Sequence, residues 1–347
     1  MGSKIKHITI RILAVLLVFA LANFIYSKTL WFSDVDQYSD TLENLWPHQD
    51  ISDIIYFGES SNFYQEHPDT PKVRISDHLN RMIPELVIEE VDNAGLWASN
   101  YLHIMRHIPK DSKVKAIVVT MNLRSFGPTW QYDKNSNYLK QADELIKPRP
   151  KLLNRFMIAL KAFDYIEPKQ LVEKKNEAWE QNLHFEFDLK YKSLFEWNKA
   201  MANGGHLRPD GGWDMERINL SCHYIKNFAF KIDVEHNPRI HDFDKIVAYA
   251  KERGWKLYFH LLSDNLEEAD ELVGNGLTNI MYCNFELLVK RYHKPENDVE
   301  VINNAATVPN SEFRDRSFPT EHYSNDGKRL CAKTLAQKIK QDLSFFE

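Results

Sequence analysis

The chain has 347 residues, 43% of them hydrophobic and 12% aromatic, with a formal net charge of −5 and a pI near 6.3. That length carries a full core and either one large domain with an insertion or two domains. No Lys- or Arg-rich stripe is present, which argues against a nucleic-acid partner. Three cysteines (Cys222, Cys283, Cys331) without CxxC or metal-type spacing give no disulfide framework and read as buried free thiols. Nothing in the pattern calls for a metal or another cofactor.

Residues 1–28 differ in kind from the rest. Lys4, Lys6 and Arg11 precede an apolar run from Ile12 to Ala22, and Phe24-Ile25-Tyr26 extends it. Basic residues in front of an apolar segment are the pattern of an exported chain whose positive flank stays in the cytoplasm. A span of ~20 residues crosses a bilayer, and residues 12–26 with their flanks read as an uncleaved anchor rather than a signal cut near Ala20-Leu21-Ala22. The remainder is then expected outside the cytoplasmic membrane. Residues 29–50, polar with Trp31, Phe32 and Trp46, read as a juxtamembrane connector, and Pro47 would end any helix there.

An apolar β-prone run, Ile54 to Phe57, stops at Gly58 and is followed by Glu59-Ser60-Ser61-Asn62. Such runs are buried strands of parallel sheets, and the carboxyl edge of an open α/β sheet is where ligands bind. Ser60 stands where a nucleophile would; the bland account of the same stretch is a strand-to-helix turn with Ser60 or Ser61 as cap. A short helix over 73–84 is expected next, with His78, Leu79, Met82 and Ile83 on one face. A second strand lies within Leu86–Gly95, a helix over Ala98–Ile108, and a third strand over Val114–Asn122 ends in an amide.

From 127 to 237 the alternation breaks into Lys- and Glu-rich helical stretches and an aromatic, glycine-containing segment around Trp197 and Trp213. That region reads as an insertion over the sheet's carboxyl edge, with a merely structural excursion as the alternative. The α/β pattern returns with a helix at Phe243–Ala250, a strand at Trp255–Leu262, helices at Leu266–Val273 and Asn284–Tyr292, a strand at Val299–Asn303 and a closing helix at Gly327–Leu343. The predicted fold is a doubly wound, mostly parallel α/β layer over 51–126 and 238–347, with a largely helical insertion and a transmembrane helix in front.

His322 lies in a loop just before the last helix. A serine nucleophile needs a base, a carboxylate that orients the base, and donors for the oxyanion. Ser60, Asn122 and His322 all fall in loops that open on one edge of such a sheet.

These blocks resemble the SGNH (GDSL-like) hydrolase superfamily, whose fold is a three-layer α/β/α sandwich. Gly58-Glu59-Ser60 resembles the first block, with Glu where Asp is usual. Asn93-Ala94-Gly95-Leu96-Trp97-Ala98 resembles the second, Ala98 standing where the family has a glycine whose amide helps hold the oxyanion. Asn122 resembles the Asn of the third block, and His322 with Gly327 the fourth. The family's carboxylate lies three residues before the histidine, where this chain has Pro319; Asp315 and Glu321 are the two substitutes, with Asp315 favoured. The resemblance implies ester chemistry: His322 as base to Ser60, with Asn122 and the amides of Ser60 and Gly95 or Ala98 around the oxyanion. The N-terminal layout is similar to the membrane-anchored branch of alginate O-acetylation and teichoic-acid D-alanyl transfer proteins. It implies an acylated envelope or exopolysaccharide glycan as substrate and a membrane-bound acyltransferase as partner. A catalytically degenerate member serving as a binding or assembly subunit is the other reading. Trp130, Trp197 and Trp213 suit sugar stacking, although core packing is the commoner use of such rings.

Overall fold

The structure is a computed structural model, and it describes residues 2–38, 51–65, 71–96, 98–132, 140–141, 144–163, 165–182, 209–212 and 214–346. Trp46, Pro47, Trp97, Trp197 and Trp213 lie outside those residues.

Helix α1 (Gly2–Thr29) is followed at once by α2 (Trp31–Tyr38). The first half of the expected connector is therefore helical: Trp31 and Val35 are buried, and the Lys151 ammonium stands 3.3 Å from the centre of the Trp31 ring. The 25 residues Ile5–Thr29 form a helix long and apolar enough to cross a membrane.

Five parallel strands follow: β1 (Ile54–Gly58), β2 (Ile88–Asp92), β3 (Ala116–Met121), β4 (Lys256–Leu261) and β5 (Val299–Asn303), in the spatial order β2-β1-β3-β4-β5. Every residue of β1, β3 and β4 is buried, as expected for strands covered on both faces. Alternate residues feed two separate cores. Ile54, Tyr56, Ala116, Val118 and Tyr258 point to one, Ile55, Phe57, Ile117, Val119 and Phe259 to the other. Each fully buried Ile, Val or Phe contributes roughly 1.5–3 kcal/mol.

Between β1 and β2 run α3 (Ser60–Phe63) and α4 (Ile75–Met82); α5 (Ala98–Met105) links β2 to β3. After β3 come a 3-10 turn, Leu123–Phe126, then α6 (Pro128–Gln131), α7 (Lys151–Ala159), α8 (Pro168–Asn182) and α9 (Met215–Phe228). Helix α10 (Pro238–Arg253) leads into β4. Helices α11 (Leu266–Leu272) and α12 (Asn275–Tyr292) lead to β5, and α13 (Asn325–Gln341) closes the chain. Helices α4 and α13 pack together on one face of the sheet, α5 and α10 on the other.

Several expected boundaries move for identifiable reasons. Helix α10 starts five residues before Phe243, at Pro238, because Asn237 caps it through the Arg239 amide and proline suits the first turn. Helix α12 is twice the expected length, reaching back to Asn275. Helix α9 is not an excursion from the core, since Ile218, Leu220, Tyr224, Ile225 and Phe228 join the main hydrophobic cluster. Cys331 is buried, Cys222 is half-buried and Cys283 is exposed, so burial does not account for all three thiols.

Candidate active site

In the order β2-β1-β3 the strand that precedes Ser60 sits in the middle, and chain direction reverses its path between β1 and β3. That is the switch point at whose carboxyl side open sheets leave a crevice. Gly58 pairs with Asp92, and Phe57 with Val119, so the loops after β2 and β3 flank the one that carries Ser60. A Cβ on Gly58 would stand 3.0 Å from Asn62 Cβ and 3.1 Å from the Tyr56 ring. Glycine is needed there for close packing of strand against helix, not for a left-handed backbone.

His322 Nε2 is 3.0 Å from Ser60 Oγ. With its proton on Nδ1, the imidazole accepts the serine hydroxyl at Nε2, which is the geometry of a nucleophile beside its base. On the other side Asp315 Oδ2 lies 3.4 Å from Nδ1, an ion-pair separation, and among the described residues Nδ1 has no closer hydrogen-bond partner. Nine residues close this juxtaposition. The Phe313↔Tyr323 bridge and the Arg314 amide bonded to the His322 carbonyl pinch the loop at its base. Asp315 then takes a left-handed backbone (φ +55°), a conformation that Asp tolerates better than most residues and that costs on the order of 1–3 kcal/mol. Ser317 Oγ donates to Asp315 Oδ1 at 2.9 Å and fixes the carboxylate's far oxygen.

Tyr64 stacks on His322 with ring centres 3.8 Å apart and an interplanar angle of 9°. Lys328, fully buried, donates to the carbonyls of Tyr64 and Val73 and so holds the residue whose ring covers the imidazole. Neither Tyr64 nor Lys328 carried a signal in the sequence.

Glu321 turns away from the ring beside it. Its carboxylate accepts Arg124 Nε at 2.8 and 2.7 Å, and Arg124 Nη2 lies 2.6 Å from it. Glu59 and Asp264 are buried next to this pair, and Glu59 accepts a hydrogen bond from Asn122 Nδ2. The Asn122 Oδ1 atom caps the 3-10 turn through the Ser125 amide at 3.0 Å. Asn122 is thereby fixed at both ends of its amide, with one Nδ2 hydrogen left over. Gly95, at φ +72°, lies in the loop after β2, and Ala98 opens α5 with its side chain in the core. Among the described residues neither makes a hydrogen bond into the Ser60–His322 pair.

The charges set the protonation states. Burial, and then the Arg124 guanidinium, push His322 down to about 4 against the opposing pull of Glu321 and Asp315. The imidazole is neutral at pH 7 and able to accept a proton. Burial and then Glu321 raise Glu59 to about 7, although Arg124 and the Asn122 bond pull the other way. The same two influences, burial first, carry Asp264 well above the usual carboxylate range. Burial opposes the charge on Arg124, but Glu321, Glu59 and Asp264 outweigh it and raise the guanidinium further. Protons held by Glu59 and Asp264 bring the cluster close to neutrality.

Other histidine and aromatic side chains are used structurally. His260 is buried in β4 between Tyr56 OH at Nδ1 (3.0 Å) and Asn304 Nδ2 at Nε2 (2.8 Å). The amide can only donate, so Nε2 accepts and Nδ1 carries the proton. Trp130 donates to Asn227 Oδ1 at 3.0 Å and lies 4.5 Å from the Arg124 guanidinium, which commits its ring to the protein. Among the described residues no three His, Cys, Asp or Glu side chains converge to hold a metal ion. Helix α9 reaches this edge too, with His223 4.7 Å, ring centre to ring centre, from Phe318 of the His322 loop. No family model matches the chain, and none of the curated proteins compared with it gives a match.

Proposed function

We propose that the protein is a serine esterase or O-acyltransferase of the SGNH-like type, anchored by α1 and acting outside the cytoplasmic membrane on acyl esters of an envelope or exopolysaccharide glycan. The observation that carries this reading is the 3.0 Å contact between Ser60 Oγ and the Nε2 of a neutral, buried His322, with Asp315 on the opposite nitrogen. His322 takes the Ser60 proton as Oγ bonds to the acyl carbon, and returns it to the departing alkoxide. Water or a sugar hydroxyl then gives its proton to His322, attacks the acyl-serine and frees Oγ. The Ser60 amide, the remaining Asn122 Nδ2 hydrogen and the Gly95 amide would receive the oxyanion; the side chain of Asn122 is already held still by Glu59 and Ser125. The basic residues Lys4, Lys6 and Arg11 in the first turns of α1, ahead of its apolar run, support the outward placement of the domain. A membrane-bound acyltransferase supplying the acyl group is the partner this placement suits.

Hydrolysis of p-nitrophenyl acetate by the full chain in detergent, compared with Ser60→Ala, tests the class. Turnover lost in the variant supports it. A folded wild-type protein that never turns over, and that releases no acetate from acetylated glycan, points instead to a binding or assembly subunit.

A further inference from the structure

We infer that α7 lies in the lipid interface beside the anchor, so that the domain is seated on the bilayer rather than tethered above it. The inference rests on the reading of α1 as a membrane span, and goes beyond it by assigning a lipid-contacting surface to the folded domain.

The first observation concerns length. On α1 the residues Phe19, Ala22, Asn23 and Tyr26 are half-buried or buried, at the i, i+3, i+4, i+7 spacing of one helical face, while Ile5 to Val18 are all exposed. The covered stripe packs against α7 and α2. Asn23 Oδ1 accepts the Leu152 amide at 2.9 Å, which puts the first turn of α7 level with Asn23. The uncovered stretch Ile5–Val18 is about 21 Å of helix, short of the ~30 Å hydrocarbon layer. The whole Ile5–Thr29 stretch, about 37 Å, is sufficient. A helix that spans must therefore draw its covered stripe, and α7 with it, into the outer leaflet.

The second observation is the chemistry of α7. Asn154 and Ile158 face the protein, whereas Phe156 (48% exposed), Ala159 and Leu160 (74% exposed) form an outward apolar stripe at i, i+3, i+4. Leu30 and Phe32, at the end of α1 and the start of α2, are exposed as well. Lys28 and Lys161 border these side chains in sequence, the arrangement in which apolar residues enter the acyl boundary and ammonium groups meet lipid phosphate. The third observation is rigidity. Tyr26 OH donates to Asp34 at 2.6 Å, and Arg155 Nε pairs with the same carboxylate at 3.0 Å, so α1, α2 and α7 are joined through one group.

The test uses the full chain with Cys222→Ser and Cys283→Ser, reconstituted in phosphatidylcholine–phosphatidylglycerol vesicles. One NBD fluorophore is placed on Leu160→Cys, on Ala14→Cys within α1, or on Lys333→Cys, which is exposed on α13. Emission and quenching by doxyl lipids are then compared. The expected result is blue-shifted emission at position 160, quenched at least two-fold more by a shallow doxyl lipid than at 333, with position 14 quenched by a deep one. Water-like, unquenched emission at 160 with quenching at 14 overturns the seating of α7 and leaves its apolar face for a membrane protein. Absence of quenching at 14 overturns the spanning reading itself, and this inference with it. Neither outcome bears on the chemistry of Ser60.

Discussion

Asp315 and Glu321 both precede His322 in one loop, and the fold treats them in opposite ways. At the rim of the site, Asp315 is 27% exposed, sits in a left-handed backbone and reaches Nδ1 only at 3.4 Å. At the floor, Glu321 is sealed from solvent and held by two nitrogens of Arg124, with Glu59 and Asp264 buried beside it. The floor is a charge cluster whose members come from four separate stretches of chain and cannot move independently. The rim is a set of side chains poised on loops. Rigid charged support thus lies beneath the Ser60–His322 pair, and the Asn122 side chain is tied to it through Glu59.

Removing the countercharge of the floor should have the largest effect. Arg124→Met leaves Glu59, Asp264 and Glu321 buried without a cation, and breaking a buried pair costs about 3–5 kcal/mol. The melting temperature is expected to fall by roughly 10 °C at pH 8. In that variant the carboxylates must hold protons in the folded state that the unfolded chain releases near 4.5. Folding then binds protons, stability falls as pH rises above that value, and the loss should shrink at pH 5. A melting curve unchanged at both pH values would mean that the carboxylates of the cluster hold no charge for Arg124 to balance.

Turnover should separate rim from floor next. Asp315→Asn is expected to lower kcat by orders of magnitude, as loss of a triad carboxylate does. Glu321→Gln should cost roughly tenfold or less in kcat, on the scale of a supporting partner. The reverse ranking would move the orienting role to Glu321; small and equal effects would mean a Ser–His pair that works alone.

The smallest expected effect is a shift along the pH axis. Because burial and Arg124 depress His322 to about 4, kcat/KM should hold through mildly acidic pH and fall only as pH drops through that value. A limb near the ordinary histidine value of ~6.5 would show that the imidazole is better solvated than its surroundings indicate.

The layer itself was legible because its signals are local. Ala116 to Met121 is a β-prone run, apolar but for Thr120, with all six residues buried, and Gly58 marks the end of β1. The nearness of Asp315 to His322 was within reach because both lie in one short loop. The floor was not: Arg124 and Glu321 are 197 residues apart, and an Arg two positions after an Asn carries no periodic or spacing signature. Its apolar setting, Leu123 before it and Phe126 after, was the one hint that a charge would be buried there. Helix α2 was missed because it is only eight residues long, four of them polar (Ser33, Asp34, Asp36 and Gln37); packing of Trp31 against Lys151 stabilises it. Likewise α9 is core because of what it meets, not because of its own sequence.

The central claim is that Ser60 is a nucleophile activated by His322. Intact-mass analysis of the full chain after reaction with a fluorophosphonate probe tests it most directly. The expected result is a single adduct mapped to Ser60, absent in Ser60→Ala, strongly reduced in His322→Ala and retained in Ser61→Ala, whose hydroxyl is buried. A folded protein that takes no adduct, or one labelled equally in Ser60→Ala, would contradict it.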